Sequence, residues 1–232
     1  MATMSITLHG ISSMATGPLL AELGAACEQR GGPRLQLQSV AGVEAAKRVR
    51  AGERFDLVVL AAEVIDGLCA VGHLVAGSRV DLVRSPVAIA VRSGAPWPDI
   101  GSEDAVRQAV LAAKSIGVST GPSGVQLRQL FARWGIGEQL RDRIQQAPPG
   151  VPVATLVASG AVELGLQQLS EMLHADGIQL IGTLPAAIAI STTFSAGLCS
   201  ASQQAPAVHE LLAFMNTAAA ALSKRHHGME PA

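Results

Sequence analysis

Two short turns rich in serine and glycine stand between a strand pattern and a helix pattern, at residues 9–13 (HGISS) and 119–124 (STGPSG). Serine hydroxyls and backbone amides donate hydrogen bonds, and the start of a following helix favours negative charge. An anion site is therefore one interpretation, with Ser12, Ser13, Ser123 and Gly124 as donors. The other is that each serine only caps its helix.

A third stretch, residues 165–171 (GLQQLSE), ends an apolar strand pattern with polar residues. Gln168 is a candidate ligand contact there, and solvation of the next helix is the alternative. Glu171 is a candidate acid or base, although a glutamate is also common in a first helical turn. His9 and Glu44 are further candidate bases, and the sequence does not rank the three.

Several kinds of site are not indicated. The turn at 119–124 lacks the Lys-Ser/Thr ending of a P-loop and does not fit a nucleophile elbow. The three cysteines, Cys27, Cys69 and Cys199, are too far apart for a metal motif or a disulfide framework. We therefore expect neither a metal nor a cofactor.

Composition narrows the class of partner. The chain has 232 residues, of which 49% are hydrophobic and 15% charged, and its formal net charge is −1. Without a basic run, nucleic-acid binding is not expected. With no apolar stretch of about 18 residues, no membrane span is expected. Residues 1–20 contain no Lys or Arg, so we expect a cytoplasmic protein; a periplasmic location requires a leader before Met1.

Strand and helix patterns alternate along the chain. The pattern predicts strands at 5–8, 35–38, 55–60, 86–91, 115–119, 162–167 and 178–182, and a final helix at 209–223. Such alternation is typical of α/β folds with a parallel sheet. There are more strand–helix units than one compact sheet needs, and two separated turns lie where ligands bind in such sheets. These features favour two lobes with a cleft between them.

Four segments together carry a resemblance to a known family. They are residues 6–13, 51–59 (AGERFDLVV), 117–135 with its GPSG turn, and 156–166. In this order they resemble the molybdate-binding-protein-like group of solute-binding proteins, which have the type II periplasmic-binding-protein fold. The resemblance spans residues 5 to about 215. It implies mixed, mainly parallel sheets with flanking helices, one lobe from 1–84 plus 192–232 and the other from 85–191.

The resemblance also implies a ligand set. Ser13 matches the first ligand serine of the family, Ser123 an amide donor, and Gly150 or Val151 another amide donor. A serine-rich family turn is replaced by residues 40–43 (VAGV), which include Gly42, with Ser39 as a neighbouring hydroxyl. Gln168 stands where the family has a pocket tyrosine. These departures favour an organic carboxylate over molybdate.

Two functions follow from the resemblance. The first is an anion-binding protein of an ABC transporter, which would meet a permease if it is exported. The second is a cytoplasmic isomerase resembling aconitate isomerase, which shifts a double bond in an unsaturated tricarboxylate by proton transfer. We favour binding slightly, because the sequence does not single out one base. A ligand-sensing regulator is disfavoured by the lack of a basic DNA-binding segment.

Overall fold

A computed structural model describes residues 6–232. The strands are β1 (Thr7–Ser13), β2 (Arg34–Val40), β3 (Leu57–Ala61), β4 (Val80–Arg92), β5 (Ile116–Val118), β6 (Ile144–Gln146), β7 (Leu164–Gln168), β8 (Ile178–Thr183), β9 (Ser191–Leu198) and β10 (Glu230–Pro231). The helices are α1 (Gly17–Gln29), α2 (Gly42–Arg50), α3 (Ala62–Ala70), α4 (Glu103–Ala112), α5 (Pro122–Arg133), α6 (Gly137–Leu140), α7 (Val153–Ala158), α8 (Leu169–Met172), α9 (Ala205–Met215) and α10 (Ala218–His226). The predicted α/β class is confirmed.

The chain divides into two compact units. The first consists of the chain up to Arg84 together with Thr193–Ala232, and the second of Ser85–Thr192. The chain passes from one unit to the other inside β4 and again inside β9.

The first unit is built on a sheet in which β2, β1 and β3 are parallel neighbours and β9 pairs antiparallel with β3. Helices α1, α9 and α10 cover one face around Leu8 and Val208, and α2 and α3 cover the other around Ile11 and Val58. Because both faces are buried, β3 is apolar throughout. The parallel strands bring the carboxyl ends of β1 and β2 to one edge.

The second unit has the strand order β6-β5-β7-β4-β8, with β6, β5 and β7 parallel. Helices α4 and α5 pack on one face around Phe131 and Leu166, and α7 and α8 on the other around Val157 and Met172. The carboxyl ends of β5 and β7 therefore share an edge. The turn at 119–124 and the segment after Gln168 both leave from it.

One predicted turn is wrong. Residues 9–13 continue β1, because Gly10, Ile11 and Ser12 pair with β3 on one side and with β2 on the other. Only Ser13 reaches the strand end, where it caps a 3-10 helix at Met14–Thr16. The predicted start of this strand at Ser5 lies outside the described residues.

The predicted single C-terminal helix is also wrong. The structure has α9 and α10, separated at Asn216 and Thr217. Both side chains hydrogen-bond to backbone carbonyls, Thr217 to Phe214 and Asn216 to Asp81. This competition with helical hydrogen bonding explains the break.

The C-terminal residues are packed rather than solvated. His227 Nε2 lies 2.7 Å from a carboxylate oxygen of Glu22, and Met229 is buried in the core of the first unit. Across residues 6–232, none of the helices is both long enough and apolar enough to cross a bilayer.

Candidate functional site

The first serine cluster comprises Ser12, Ser13 and Ser39 at the carboxyl ends of β1 and β2. Ser12 and Ser39 are register partners, and their hydroxyl oxygens are 2.9 Å apart. Ser12 is fully buried, Ser13 is partly exposed and Ser39 is exposed. Ser13 and Ser39 are therefore the members that a ligand can reach. The buried Ser12 hydroxyl is hydrogen-bonded to that of Ser39.

Each hydroxyl has one proton, which limits what the cluster can donate. The Ser13 oxygen accepts from the Ala15 backbone N–H at 3.3 Å, which leaves the Ser13 proton for a ligand. The Ser12 proton can point to the Ser13 carbonyl at 3.1 Å or to Ser39. When it points to Ser39, the Ser39 proton is also available to an anion.

The first residues of α1 and α2 are glycines that lie close to this cluster. A Cβ at Gly17, the first residue of α1, would lie 2.6 Å from the Ser39 hydroxyl oxygen. A Cβ at Gly42, the first residue of α2, would be 3.9 Å from that of Ser13. The predicted Gly42 contact is thus next to Ser13. The amides of a helix's first turn lack partners within their helix, so both starts favour an anion.

The second serine cluster comprises Ser119 and Ser123 in the turn between β5 and α5. Their hydroxyl oxygens are 3.0 Å apart, so one donates to the other and one proton remains for a ligand. Ser123 is buried and Ser119 is partly exposed. Gly124 is required here, because a Cβ at this residue would lie 2.0 Å from the Ser119 carbonyl oxygen.

Gln168 ends β7 on the face that α4 and α5 cover, because it alternates with Leu166 of that core. Its Nε2 atom donates to the Thr192 hydroxyl at 2.7 Å, and both residues are buried. Its Oε1 atom is buried and has no hydrogen-bond partner among the described residues. Exchanging the amide oxygen and nitrogen would satisfy Thr192 equally and present a donor. Gln168 can therefore present a ligand with either an amide acceptor or an amide donor.

Glu171 lies in α8, immediately after β7. Part of the residue is accessible, but burial of its carboxyl raises the pKa to about 7, against a smaller lowering by the Gln167 side chain. A carboxyl with this pKa exchanges protons readily near neutral pH, as a general base or acid must. Glu171 thus has a pKa suited to a general base or acid near neutral pH, which the sequence alone could not establish.

The segment before α7 holds the other predicted amide donors. Gly150 is exposed with a φ of 81°, and Val151 is partly exposed. The Val151 N–H donates to the Pro148 carbonyl at 3.0 Å. Its amide is therefore already used within the turn in this structure.

The other two candidate bases, His9 and Glu44, lie in the first unit, whereas Glu171 lies in the second. His9 is exposed in β1, four residues or about 13 Å along the strand from Ser13. Glu44 is exposed in the first turn of α2, and its carboxylate lies 4.0 Å from the Lys47 ammonium. Neither side chain has the buried setting of Glu171.

Sequence reasoning missed Gln167, Thr192 and the role of Ser119 within its turn. Consecutive glutamines at the end of an apolar strand are a signal for Gln167, since a buried amide needs partners. Thr192 gave no signal, because its contact joins residues 24 positions apart. Across residues 6–232, no three or more His, Cys, Asp or Glu side chains are grouped as metal ligands would be.

A model of the family described as bacterial extracellular solute-binding protein matches residues 8–230. The chain belongs to this family. It is also 33% identical over 231 residues to an aconitate isomerase from Pseudomonas sp., an alignment covering 97% of this chain and 88% of that protein. The family therefore holds a relative that is named as an enzyme.

Solved structures of solute-binding proteins share the fold. The periplasmic molybdate-binding protein of Azotobacter vinelandii superposes with a TM-score of 0.79 at 17% identity, covering 96% of this chain and 98% of that one. The substrate-binding domain of a putative molybdenum ABC transporter from Clostridium difficile gives 0.76 at 16% identity, covering 98% and 100%. These likenesses confirm the predicted periplasmic-binding-protein-like fold.

Proposed function

We propose that this protein is a cofactor-independent isomerase that moves the double bond of a small unsaturated carboxylic acid by proton transfer. The observation that carries the proposal is the 33% identity over 231 residues to a relative named aconitate isomerase. Glu171, a carboxyl in α8 just after β7 whose pKa burial raises to about 7, supports it as the base. The relative named aconitate isomerase supports a tricarboxylate of the aconitate type as substrate.

The reaction needs one base and several donors. The Glu171 carboxylate removes a proton from the carbon next to the double bond, and that C–H electron pair forms a new double bond. The electrons of the old double bond pass towards its substituent carboxylate, giving a dienolate. Glu171 then returns the proton to the far carbon of the three-carbon unit. No oxidant or co-reactant is required.

The serine clusters are proposed to hold the substrate carboxylates. Neutral hydroxyl and amide donors bind an anion well, because hydrogen bonds to a charged acceptor are about twice as strong as neutral ones. Donors aimed at the developing dienolate also lower its energy. The candidate donors are Ser13 and Ser39 in the first unit, and the Ser119–Ser123 pair and Gln168 in the second.

The departures from the family's ligand set support an organic carboxylate over molybdate. Residues 40–43 (VAGV) replace a serine-rich turn, and Gln168 stands where the family has a pocket tyrosine.

Replacing Ser13 by Ala is expected to weaken binding of trans-aconitate at least about tenfold, because one hydrogen bond to a charged group is lost. Calorimetric titration measures this. Ser200→Ala is the matched control: Ser200 is exposed in the same unit, but it follows β9 at the opposite edge of the sheet, beside the amino end of β3. Equal affinities of the two variants would remove Ser13 from the site.

The activity itself is tested by incubating the protein with cis- or trans-aconitate in deuterated water. We expect interconversion of the two acids, with deuterium entering the allylic carbon, as followed by proton NMR. Citrate, molybdate and tungstate titrations accompany it. Tight molybdate binding with no response to any carboxylate contradicts both the substrate and the reaction.

A binding protein without catalysis is the second candidate. It is favoured by the family match and by the transport-related structural neighbours. In that case an ABC permease would be the partner of an exported form. Tight carboxylate binding with neither deuterium incorporation nor product would support this candidate instead.

A further inference from the structure

Thr192 is a buried polar residue that neither serine cluster uses. It lies in β9 and is 3% exposed, as is Gln168 at the end of β7. The Thr192 hydroxyl oxygen accepts a hydrogen bond from Gln168 Nε2 at 2.7 Å. Within residues 6–232 the structure shows no acceptor for the proton of this hydroxyl. Thr192 therefore has a donor that the protein itself does not use.

Strand β4 holds Thr192 beside Gln168. Val87 of β4 is the register partner of Gln168. The Val87 N–H donates to the Ile190 carbonyl at 2.9 Å, two residues before Thr192. The segment that leads into Thr192 is thus fastened to the strand that pairs with Gln168. All four residues belong to the second unit, so the contact is built within that unit.

The Gln168 amide also has an unused polar atom. Its Oε1 is buried and lacks a hydrogen-bond partner among the described residues. In the opposite orientation Oε1 accepts the Thr192 proton, and both N–H bonds of the amide are free to donate. A hydroxyl both donates and accepts, so the contact with Thr192 is kept in either orientation. The group that Gln168 faces on its other side therefore decides which orientation is adopted.

Gln168 lies at the sheet edge that carries the second serine cluster. Val118, the last residue of β5, is the register partner of Leu166, so Gln168 extends two residues or about 7 Å further. This places it level with the turn at 119–124. Gln168 shares with Leu166 the face against which α5 packs, and Ser123 lies in the first turn of α5. An anion held by this turn would accept from Gln168 in its donor orientation.

We propose that Thr192 is the positioning residue for Gln168: its hydroxyl donates to Gln168 Oε1 and so directs the Gln168 NH₂ group to a carboxylate of the bound acid. A carboxylate accepts and cannot donate, so it selects this orientation of the amide. The inference rests on the proposed function for the identity of that acid. Thr192 itself does not touch the ligand.

The orientation of the amide is measured by proton–nitrogen NMR of the glutamine side-chain NH₂ groups. The Gln168 resonances are assigned by their absence from Gln168→Met. Adding trans-aconitate is expected to shift them downfield in the wild type, because hydrogen bonds to a charged acceptor are shorter and stronger than neutral ones. Thr192→Val keeps the shape of the side chain without its hydroxyl, and a clearly smaller shift is expected there.

Calorimetric titration with trans-aconitate tests whether Thr192 acts through Gln168. Thr192→Val is expected to weaken binding about fivefold, within the range for residues that share a hydrogen bond. The same change should have no effect in a Gln168→Met background, since the amide that Thr192 orients is then missing. Thr192→Ser keeps the hydroxyl and should bind within about twofold of the wild type. Thr155→Val is the control, because Thr155 is exposed on α7, which packs on the other face of the sheet.

The outcomes separate this inference from the proposed function. Gln168 resonances that do not move with trans-aconitate, citrate or molybdate overturn the positioning role. So does a loss of affinity in Thr192→Val that persists undiminished in the Gln168→Met background. A shift and a coupled loss in a protein that isomerises no acid leave the positioning role established and remove only the catalysis. If Thr192→Val fails to fold, Thr192→Ala, which also lacks the hydroxyl, replaces it in both measurements.

Discussion

The Glu171→Gln variant is expected to lose about 100-fold or more of the proposed isomerase activity while retaining its affinity for the substrate. A positioned general base contributes about 10² to 10⁴ in rate, and an amide cannot accept a proton at neutral pH. Glutamine keeps the shape of the side chain, so substrate contacts elsewhere are preserved. Deuterium exchange and calorimetry on the same sample measure the two properties.

The same variant is expected to be more stable than the wild type above pH 7. Because burial raises the pKa of Glu171 to about 7, the folded protein holds this proton more tightly than the unfolded chain does. The contribution of Glu171 to stability is therefore greatest below the unfolded pKa of about 4.5 and is lost as pH rises through 7. The neutral glutamine avoids that loss, with a gain of at most about 3 kcal/mol.

Urea unfolding at pH 4.5 and pH 8 measures this difference. Glu163→Gln is the matched control, because Glu163 precedes the amino end of β7 and is exposed. An activity loss in His9→Ala or Glu44→Gln, with Glu171→Gln still active, would transfer the role of base to that residue. A stability difference that is independent of pH would contradict the buried setting of Glu171.

Much of the fold could be predicted because central strands such as β3 and β7 are buried on both faces. Continuous apolar runs such as LVVLA in β3 are visible without any structure. The strand β9 was missed, because its sequence STTFSAGL mixes polar and apolar residues without alternation. The turn at 9–13 was misread because glycine and serine also occur in a central strand, where Gly10 lies among the side chains of Leu35, Leu37 and Leu57.

The candidate site was predictable only in part. Ser13 and Ser123 could be named from strand ends and helix starts, which are local features, whereas Ser39 came from the family resemblance. The distinction between Glu171, Glu44 and His9 could not, because it depends on burial that the packing of α8 against α7 and β7 creates. The partnership of Gln168 with Thr192 depends in the same way on a return of the chain through β9.

Replacing Gly124 by Ala is expected to be the most damaging small substitution in the second unit. A Cβ at this residue would lie 2.0 Å from the carbonyl oxygen and 2.9 Å from the carbonyl carbon of Ser119. Both neighbours are backbone atoms, so the start of α5 must move away from the end of β5. We expect a loss of about 3 kcal/mol in the free energy of unfolding, in the upper range for overpacking.

The displacement of α5 is also expected to weaken ligand binding. Ser123 precedes Gly124, and its hydroxyl lies 3.0 Å from that of Ser119. A shift of α5 separates the two hydroxyls and moves the first-turn amides, so anion affinity is expected to fall even at temperatures where the variant is folded.

Gly121→Ala provides the control within the same turn. Gly121 has an extended backbone with a φ of −80°, and a Cβ there would be 3.8 Å from the Ser119 hydroxyl oxygen, an ordinary contact. The urea midpoint of this variant should be close to that of the wild type, whereas Gly124→Ala should unfold at a clearly lower urea concentration. If the two variants have the same midpoint and the same affinity for trans-aconitate, the close approach of α5 to β5 does not shape the second serine cluster. If only Gly124→Ala fails in both measurements, the absence of a side chain at this residue is what allows Ser119 and Ser123 to meet.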